Sequence, residues 1–183
     1  MHLRRLPAEE PAVRRYVEKL WLPYHRELSR TVADHGLAGD VDVVEEETPF
    51  RLDRLASEDY RTWVAVDESE TMGTEREEGE GASVLTDPES ALTGFVSADV
   101  ERSPSVFDRP DRLVVGDIYV RSAFRGTGLA HRLVRRAARY AEEAECGELA
   151  LDVDADNERA RSFYDSLGFE TRRHRMVVSA DEL

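Results

Sequence analysis

Cysteine and lysine are almost absent from this chain of 183 residues, which contains Cys146 and Lys19 as its only examples of each. A lone cysteine has no partner for a disulfide within the chain, so an apolar core has to stabilise the fold. The 5 histidines are scattered, and no His/Cys cluster has the spacing of metal ligands. We therefore expect a reduced, cytoplasmic protein with no metal site.

Long apolar runs are also missing. No stretch approaches the roughly 18 uncharged apolar residues that a membrane span needs. The N-terminal stretch "MHLRRLPAEEPAVRRYVEKL" has no apolar core of the kind found in signal peptides. These two features predict a soluble protein with no membrane partner.

The charge is strongly one-sided, with 39 acidic against 25 basic residues and a formal net charge of -14. An acidic surface with almost no lysine resembles the proteins of salt-accumulating halophiles. A field this negative repels nucleic acid backbones, so we expect no nucleic acid partner.

Apolar periodicity predicts an α/β chain with one domain, residues 1–183. Val13 to Val32 follow a helical period that ends before Gly36, and Pro23 predicts a kink or two successive helices there. Further helices are expected from Gly128 to Gly147 and after Asn157. Strands are predicted at 2–6, 59–69, 91–102, 112–120, 148–156 and 170–180. Residues 67–90 are acidic and glycine-rich, which predicts a mobile loop or hairpin insertion.

The bend between residues 120 and 129 joins a predicted strand to a predicted helix. The first amides of a helix have no carbonyl partners, and together with the helix dipole they attract anions. Gly126 and Gly128 allow backbone angles that side chains forbid and let a ligand approach the main chain, while Arg125 adds positive charge. This combination suits a diphosphate group.

Two well-known phosphate motifs fit this bend poorly. A P-loop requires Gly-Lys-Ser/Thr, and no lysine lies near the turn. The dinucleotide fingerprint requires a third small residue where this chain has His131, although Asp152 or Asp154 would serve as its ribose-binding acid. A nucleotide-binding oxidoreductase therefore stays open as a third alternative.

The sequence "RGTGLA", Arg125 to Ala130, resembles the acetyl-coenzyme A signature [Q/R]-x-x-G-x-[G/A] of the GNAT superfamily of N-acetyltransferases. The later stretch "NERARSFYDSLGF" is similar to the family's N-x-x-A-x-x-F-Y-x-x-x-G-F helix. "GDIYV", which precedes the turn, resembles the family's fourth strand. The similarity extends from Leu113 to about Val178.

This resemblance implies an α/β GNAT fold, with a mixed sheet of six or seven strands, about four helices and a V-shaped splay between strands 4 and 5. Acetyl-coenzyme A would lie in the splay, where its pantetheine pairs with the backbone of Tyr119 and Val120. Its diphosphate would contact the main-chain amides of the turn, formed by Arg125, Gly126, Thr127, Gly128, Leu129 and Ala130.

The resemblance also suggests how acetyl transfer would proceed. Tyr164 corresponds to the tyrosine that often protonates the leaving thiolate, and its alternative role is aromatic packing beside Phe163. Asp117 is the best-placed carboxylate for a base. The preceding Gly116 departs from the acidic pair of some polyamine-acetylating relatives, so Asp117 has two alternative roles, binding a cationic substrate or capping an amide.

Other residues keep two interpretations each. Asn157 is expected to cap its helix, and its amide is also placed to bond the pantetheine arm. Trp21, Tyr24 and His25 suggest an acceptor pocket because the family's first two helices commonly wall that site; the alternatives are core packing for Trp21 and Tyr24 and a surface position for His25.

Together these features predict an N-acetyltransferase that uses acetyl-coenzyme A as co-substrate by direct transfer. The acceptor is expected to be an amine, either of a small molecule or at a peptide N-terminus, and a homodimer is possible by analogy with the family. The alternative is a non-catalytic module that binds an acyl-coenzyme A as a sensor.

Overall fold

The computed structural model describes residues 1–32, 35–67 and 81–182 of the chain. Its contacts divide the chain into two compact units, Met1–Asp152 and Val153–Leu183. The larger unit contains the sheet and most of the helices. Among the described residues, no helix is both long enough and apolar enough to cross a membrane.

One sheet runs through the larger unit with its strands in sequence order. The first four strands are antiparallel neighbours, and the fifth pairs with the fourth in parallel. The mixed sheet is thus as predicted. The strands are β1 His2–Arg5, β2 Tyr60–Asp67, β3 Ala91–Glu101, β4 Arg112–Val120 and β5 Glu148–Leu151.

The helices lie between these strands and after them. The α-helices are α1 Glu10–Tyr16, α2 Leu22–Leu28, α3 Val43–Ala56, α4 Gly81–Thr86, α5 Leu129–Glu143 and α6 Glu158–Ser166. A π-helical turn, Val17–Trp21, joins α1 to α2, and single 3₁₀ turns occupy Ser122–Phe124 and Ala180–Glu182.

The strand count differs from the prediction. The 5-stranded sheet replaces the six or seven strands expected, because the segment predicted as a last strand, 170–180, contains no strand. Its apolar part is exposed, with Met176 at 92% and Val177 at 88%. An extended segment is stable as a strand only when it has ladder partners, and its own sequence does not reveal whether partners exist.

The N-terminal helical pattern is confirmed and has an additional feature. Pro23 lies in the first turn of α2, a position that tolerates a residue without an N–H. The π turn before it was not predicted; in it, Leu22 N donates to Val17 O, one residue further back than in an α-helix. The sequence therefore forms two helices joined by a wider turn.

The acidic insertion is partly helical. Helix α4 lies within the predicted loop 67–90, so the expectation of a loop throughout was wrong for that part. Residues 68–80 lie outside the described residues. The Arg15 guanidinium donates to Leu85 O at 2.7 Å and to Ser90 O at 2.6 Å, which ties the end of the insertion to α1.

The two faces of the sheet carry separate apolar cores. One face, which we call the α3 face, is covered by α1, the π turn, α2 and α3, and its core includes Tyr16, Leu20 and Phe95. The opposite face, the α5 face, packs Leu113 of β4 against Leu133 of α5. Side chains of successive strand residues therefore alternate between two chemically different surroundings.

Substitution of Gly94 on β3 tests how closely β3 and β4 approach each other. A Cβ atom there would lie 2.6 Å from the carbonyl oxygen of Tyr119, which belongs to the backbone of the neighbouring strand and cannot move aside. We expect Gly94→Ala to lower the free energy of unfolding by about 1–3 kcal/mol, measured by urea titration.

Gly116→Ala is the matched control for this prediction. Its Cβ would meet only the Ser97 hydroxyl, at 3.2 Å, and that side chain is able to shift. The loss of stability should be clearly smaller than for Gly94→Ala. Equal losses in the two variants would show that the close approach of β3 and β4 is not the cause.

Candidate active site

Strands β4 and β5 are paired over only part of their length. Their register runs from Arg112 opposite Glu148 to Val115 opposite Leu151. Strand β4 continues to Val120 and keeps β3 on its other side. Within the described strand pairs, the edge of β4 from Gly116 to Val120 is therefore unpaired toward β5, as the predicted splay requires.

A β-bulge in the pairing of β4 with β3 lies at the point where β4 separates from β5. Val96 is opposite Ile118 and Ala98 is opposite Val115, so β4 has one more residue than β3 in this interval. The extra residue leaves the amide of Asp117 out of the ladder, and it donates instead to the Ser97 hydroxyl at 3.0 Å. The bulge gives Asp117 a fixed position beside the open edge.

The register also decides which backbone groups of β4 face that edge. Arg121 N donates to Thr93 O at 2.9 Å, and hydrogen-bonded pairs alternate along an antiparallel ladder. The next such pair is Tyr119 with Phe95, so the backbone groups of Tyr119 point toward β3. The groups that point to the open edge are those of Ile118 and Val120.

The turn after β4 ends in a helix start without a side-chain cap. Gly126 and Gly128 have φ of 77° and 81°, a left-handed conformation that side chains rarely adopt. Gly128 is the N-cap of α5, and the first bond of the helix runs from Arg132 N to Gly128 O. The amides of Leu129 and Ala130 precede that bond, so they have no partner within the helix.

The side chain of Arg125 contacts the end of β4 and helix α2. Its Nε donates to Val120 O at 2.9 Å, and its guanidinium forms an ion pair with Glu27 of α2. The same carboxylate accepts from the Tyr119 hydroxyl at 3.3 Å. Burial raises the pKa of Tyr119, and the Glu27 carboxylate adds to that shift. Arg125 and Glu27 thus connect α2 to the end of β4.

A polar cluster lies on the α3 face beside Asp117. Arg51 of α3, whose side chain is 11% exposed, forms an ion pair with Glu47 and donates to the Tyr60 hydroxyl at 3.0 Å. Its Nη2 atom lies 3.8 Å from Oδ2 of Asp117. Its guanidinium also stacks on Trp21, 5.3 Å from the ring centroid. A buried cation therefore lies among two carboxylates and an aromatic ring.

Burial and charge shift several pKa values in this cluster. Burial raises the pKa of Glu47, partly offset by Arg51. Burial acts to lower the pKa of Arg51, but the tyrosines and carboxylates around it outweigh this effect and the net shift is upward. Burial also lowers the pKa of His25 to about 4, so its imidazole is neutral near pH 7.

A cavity of about 360 Å³ adjoins the cluster on the α3 face. Tyr60, which accepts from Arg51, is part of its wall, and Gly116 next to Asp117 is another part. Arg54 and Asp99 form an ion pair at 2.9 Å along the same wall. The volume falls within the range of small-molecule sites.

Two predicted site residues lie in the smaller unit. Asn157 is confirmed as the N-cap of α6, since its Oδ1 accepts from Ala160 N at 3.2 Å. Tyr164 is 8% exposed, and its ring contacts Phe163 and Phe169 at centroid distances of 5.4 Å and 5.5 Å. The catalytic role of Tyr164 stays a prediction.

Comparison with known protein families gives a match over most of the chain: the model of the acetyltransferase (GNAT) family matches residues 41–169. This chain belongs to the GNAT acetyltransferase family. The matched range includes α3, the open edge of β4, the turn and α6. The resemblance inferred from the two short motifs is therefore confirmed.

Solved structures share this GNAT fold along nearly the whole chain. A tetramutant of the BH1408 protein from Bacillus halodurans has a TM-score of 0.71 at 17% identity, over 98% of this chain and 99% of that one. Aminoglycoside 6'-N-acetyltransferase AAC(6')-IG from Acinetobacter haemolyticus has a TM-score of 0.63 at 18% identity, and the match covers 98% of this chain and 97% of that one. AAC(6')-Iy in complex with a bisubstrate analogue has a TM-score of 0.59 at 16% identity, and the match covers 97% of this chain and 96% of that one.

Sequence reasoning missed the contribution of α3 to this site. Its start carries a signal, because Asp42 accepts from Val44 N and Glu45 N as an N-cap. The buried positions of the helix follow a helical period, but a charged residue occupies one of them and hides the apolar pattern. These positions are Thr48, Arg51 and Leu55.

His25 is half-buried rather than on the surface, and this should make stability depend on pH. Its folded-state pKa of about 4 lies below the ordinary 6.5, so between these values the unfolded chain binds the additional proton. The free energy of unfolding should therefore fall as the pH is lowered from 6.5 toward 4. We expect a smaller fall in His25→Gln, measured by urea titration at about pH 7.5 and about pH 5.

His2→Gln is the control, because His2 is an exposed histidine on β1. It should keep the pH dependence of the parent protein. A His25→Gln variant with an unchanged dependence would mean that the imidazole is protonated in the folded state.

Proposed function

We propose that this protein is an N-acetyltransferase that transfers the acetyl group of acetyl-coenzyme A to an amine. The observation that carries the proposal is the unpaired edge of β4, which leads within one turn into the uncapped start of α5. An extended polyamide arm followed by a diphosphate matches these two features in order. AAC(6')-Iy, which has a similar fold, is described in complex with coenzyme A.

The proposed contacts to the co-substrate come from the main chain. Ile118 and Val120 pair with the pantetheine amides, since their backbone groups face the open edge; Ile118 takes the place first assigned to Tyr119. Val120 O already accepts from Arg125, but a carbonyl oxygen has a second lone pair. The side-chain amide of Asn157 is a further proposed donor to this arm.

The diphosphate is assigned to the amides of Gly126, Thr127, Gly128, Leu129 and Ala130. Thr127 supports this turn, since its hydroxyl donates to Phe124 O at 2.7 Å. Arg125 acts in this proposal by holding the turn through Val120 and Glu27. The local donors allow an anion to bind to a chain whose net charge is -14, because salt screens the distant carboxylates.

The thioester of acetyl-coenzyme A supplies an activated acetyl group. In the proposed reaction, Asp117 orients the amine and accepts the proton that its nitrogen loses when the C–N bond forms. Tyr164 donates a proton to the sulfur as the C–S bond breaks, so the charges balance. A small-molecule acceptor is supported by AAC(6')-Iy, which is described with an analogue that joins coenzyme A to an acetylneamine.

The helix start gives a direct test of co-substrate binding. Gly128→Ala places a Cβ in the left-handed conformation, which costs about 1–3 kcal/mol, so the turn should shift or lose order. We expect acetyl-coenzyme A to bind the parent protein in molar KCl with a submillimolar dissociation constant, and this variant about tenfold more weakly, by calorimetry.

Gly39→Ala serves as the matched control, because a Cβ at Gly39 meets nothing within 4 Å. Its affinity should equal that of the parent protein. Absence of binding by the parent protein at millimolar acetyl-coenzyme A would contradict the proposed function itself.

Replacing Tyr164 with phenylalanine tests the proton donor. We expect kcat for the best amine of a panel to fall on the order of 100-fold while the KM for acetyl-coenzyme A stays the same, because only the transfer of a proton is lost. Thiol release measures the rate. Tyr140→Phe, which removes a hydroxyl bonded to Glu58 O at the surface, should leave kcat unchanged.

The same panel separates the enzyme from its alternative. Binding of acetyl-coenzyme A without turnover of any amine would favour a non-catalytic sensor. A Tyr164→Phe variant with kcat within twofold of the parent would remove that residue from the mechanism.

A further inference from the structure

Three buried polar atoms on the N-terminal helices have no hydrogen-bond partner within the described part of the chain. They are the Tyr16 hydroxyl, Trp21 Nε1 and His25 Nε2. Tyr16 is 1% exposed and Trp21 is 7% exposed. Buried polar groups in folded proteins are nearly always bonded, so three such atoms close together require an explanation.

The π turn brings these three side chains to one face of the helical segment. Trp21 follows Tyr16 at the i+5 spacing that aligns residues in a π turn, and His25 follows Trp21 at the α-helical i+4 spacing. The Trp21 and His25 rings lie 4.0 Å apart between centroids. Tyr16 contacts Phe95 of β3 edge to face at 5.0 Å. Tyr16 and Trp21 therefore both belong to the core of the α3 face, and His25 lies against Trp21.

The charged groups opposite them do not balance. Two carboxylates, Glu47 and Asp117, lie with one guanidinium, Arg51, and the sum of these charges is negative. The Tyr16 hydroxyl and His25 both lie within electrostatic range of Asp117 and Arg51. His25 is neutral near pH 7, so it does not supply the missing positive charge. A ligand with one cationic group would balance the cluster.

The three unpartnered atoms also specify the ligand's other groups. The indole N–H of Trp21 only donates, so it requires an acceptor atom. The Tyr16 oxygen and the neutral His25 ring accept from, or donate to, a nitrogen beside Asp117. The ligand thus has an amine, which binds as the ammonium ion and loses one proton to solvent before it reacts, and, close to it, an oxygen that accepts a hydrogen bond.

We propose that this group of residues, which we call the Tyr16 pocket, binds the acceptor as a small primary amine with an oxygen on the neighbouring carbon, as in 2-amino alcohols and amino sugars. The proposal rests on the proposed function and specifies its substrate class. The Tyr16 pocket consists of Tyr16, Trp21, His25, Glu47, Arg51 and Asp117.

The rest of the acceptor has room on the same face. The wall of the cavity of about 360 Å³ includes Tyr60, and the Tyr60 hydroxyl accepts a hydrogen bond from Arg51 of the Tyr16 pocket. Asp99 and Glu101 lie along its far wall. This favours acceptors that carry further hydroxyl or amino groups over those with apolar tails.

The test uses two amines that differ in one atom, 2-methoxyethylamine and n-butylamine. We expect the ratio of their kcat/KM values to fall about fivefold in Trp21→Phe relative to the parent protein, which corresponds to about 1 kcal/mol for one hydrogen bond. The intrinsic reactivities of the two amines cancel, because only the change in the ratio between proteins is used.

Tyr16→Phe is the second variant, and it removes a single oxygen atom from the core. Since the Tyr16 hydroxyl is assigned to the nitrogen, kcat/KM should fall about fivefold for both amines, with the KM for acetyl-coenzyme A unchanged. Trp63→Phe on the α5 face is the matched control for Trp21→Phe, and its ratio should equal the parent's. Urea titration verifies that each variant is folded.

If the ratio of kcat/KM values is unchanged in a folded Trp21→Phe variant, the proposed hydrogen bond from Trp21 to the ligand oxygen is overturned. If kcat/KM is unchanged in a folded Tyr16→Phe variant, the proposed contact between Tyr16 and the amine nitrogen is overturned. Either result leaves the proposed function intact if amines are still acetylated. Trp63→Phe retains Trp21 as its single tryptophan, so fluorescence reports binding directly. A change in emission when 2-methoxyethylamine is added with coenzyme A, in a protein that acetylates nothing, would support the pocket and contradict the enzyme.

Discussion

The candidate site depends on backbone N–H and C=O groups that the fold leaves unpaired between the end of β4 and the start of α5. Strand β4 parts from β5 after Val115, and the chain then enters α5 at Gly128 without a side-chain cap. Both features leave N–H and C=O groups without a main-chain partner, so these groups are open to solvent or to a ligand. The bulge at Gly116 and Asp117 places a carboxylate where β4 and β5 separate.

Local signals made part of this site predictable. Gly126 and Gly128 adopt the left-handed angles that their residue type favours, and Asn157 caps α6. Features that depend on distant partners were not predictable: the backbone direction of Tyr119 follows from its register with β3. The buried face of α3 carries Arg51, which becomes intelligible only beside Glu47 and Asp117. The segment 170–180 has a strand's composition and no ladder.

Electrostatics act on two scales in this chain. The net charge of -14 determines the long-range field, which salt screens within about 10 Å at 0.1 M. At short range the relevant groups are the main-chain donors at the start of α5 and the cluster of Arg51, Glu47 and Asp117, whose summed charge is negative. Glu27 connects the turn to the N-terminal helices, because it forms an ion pair with Arg125 and belongs to α2, which also carries His25.

The π turn at Val17–Trp21 has an evolutionary consequence. It behaves as a single residue inserted into an otherwise continuous α-helix. Deleting one residue there would restore ordinary helical geometry and place Trp21 four residues after Tyr16, a spacing that again puts both side chains on one face. The side chains of Trp21 and His25 would then stay on the same helical face as Tyr16, with one residue of backbone removed between them. The π turn thus absorbs a change of one residue in chain length locally, and descendants with and without that residue can carry the same three side chains in the same places.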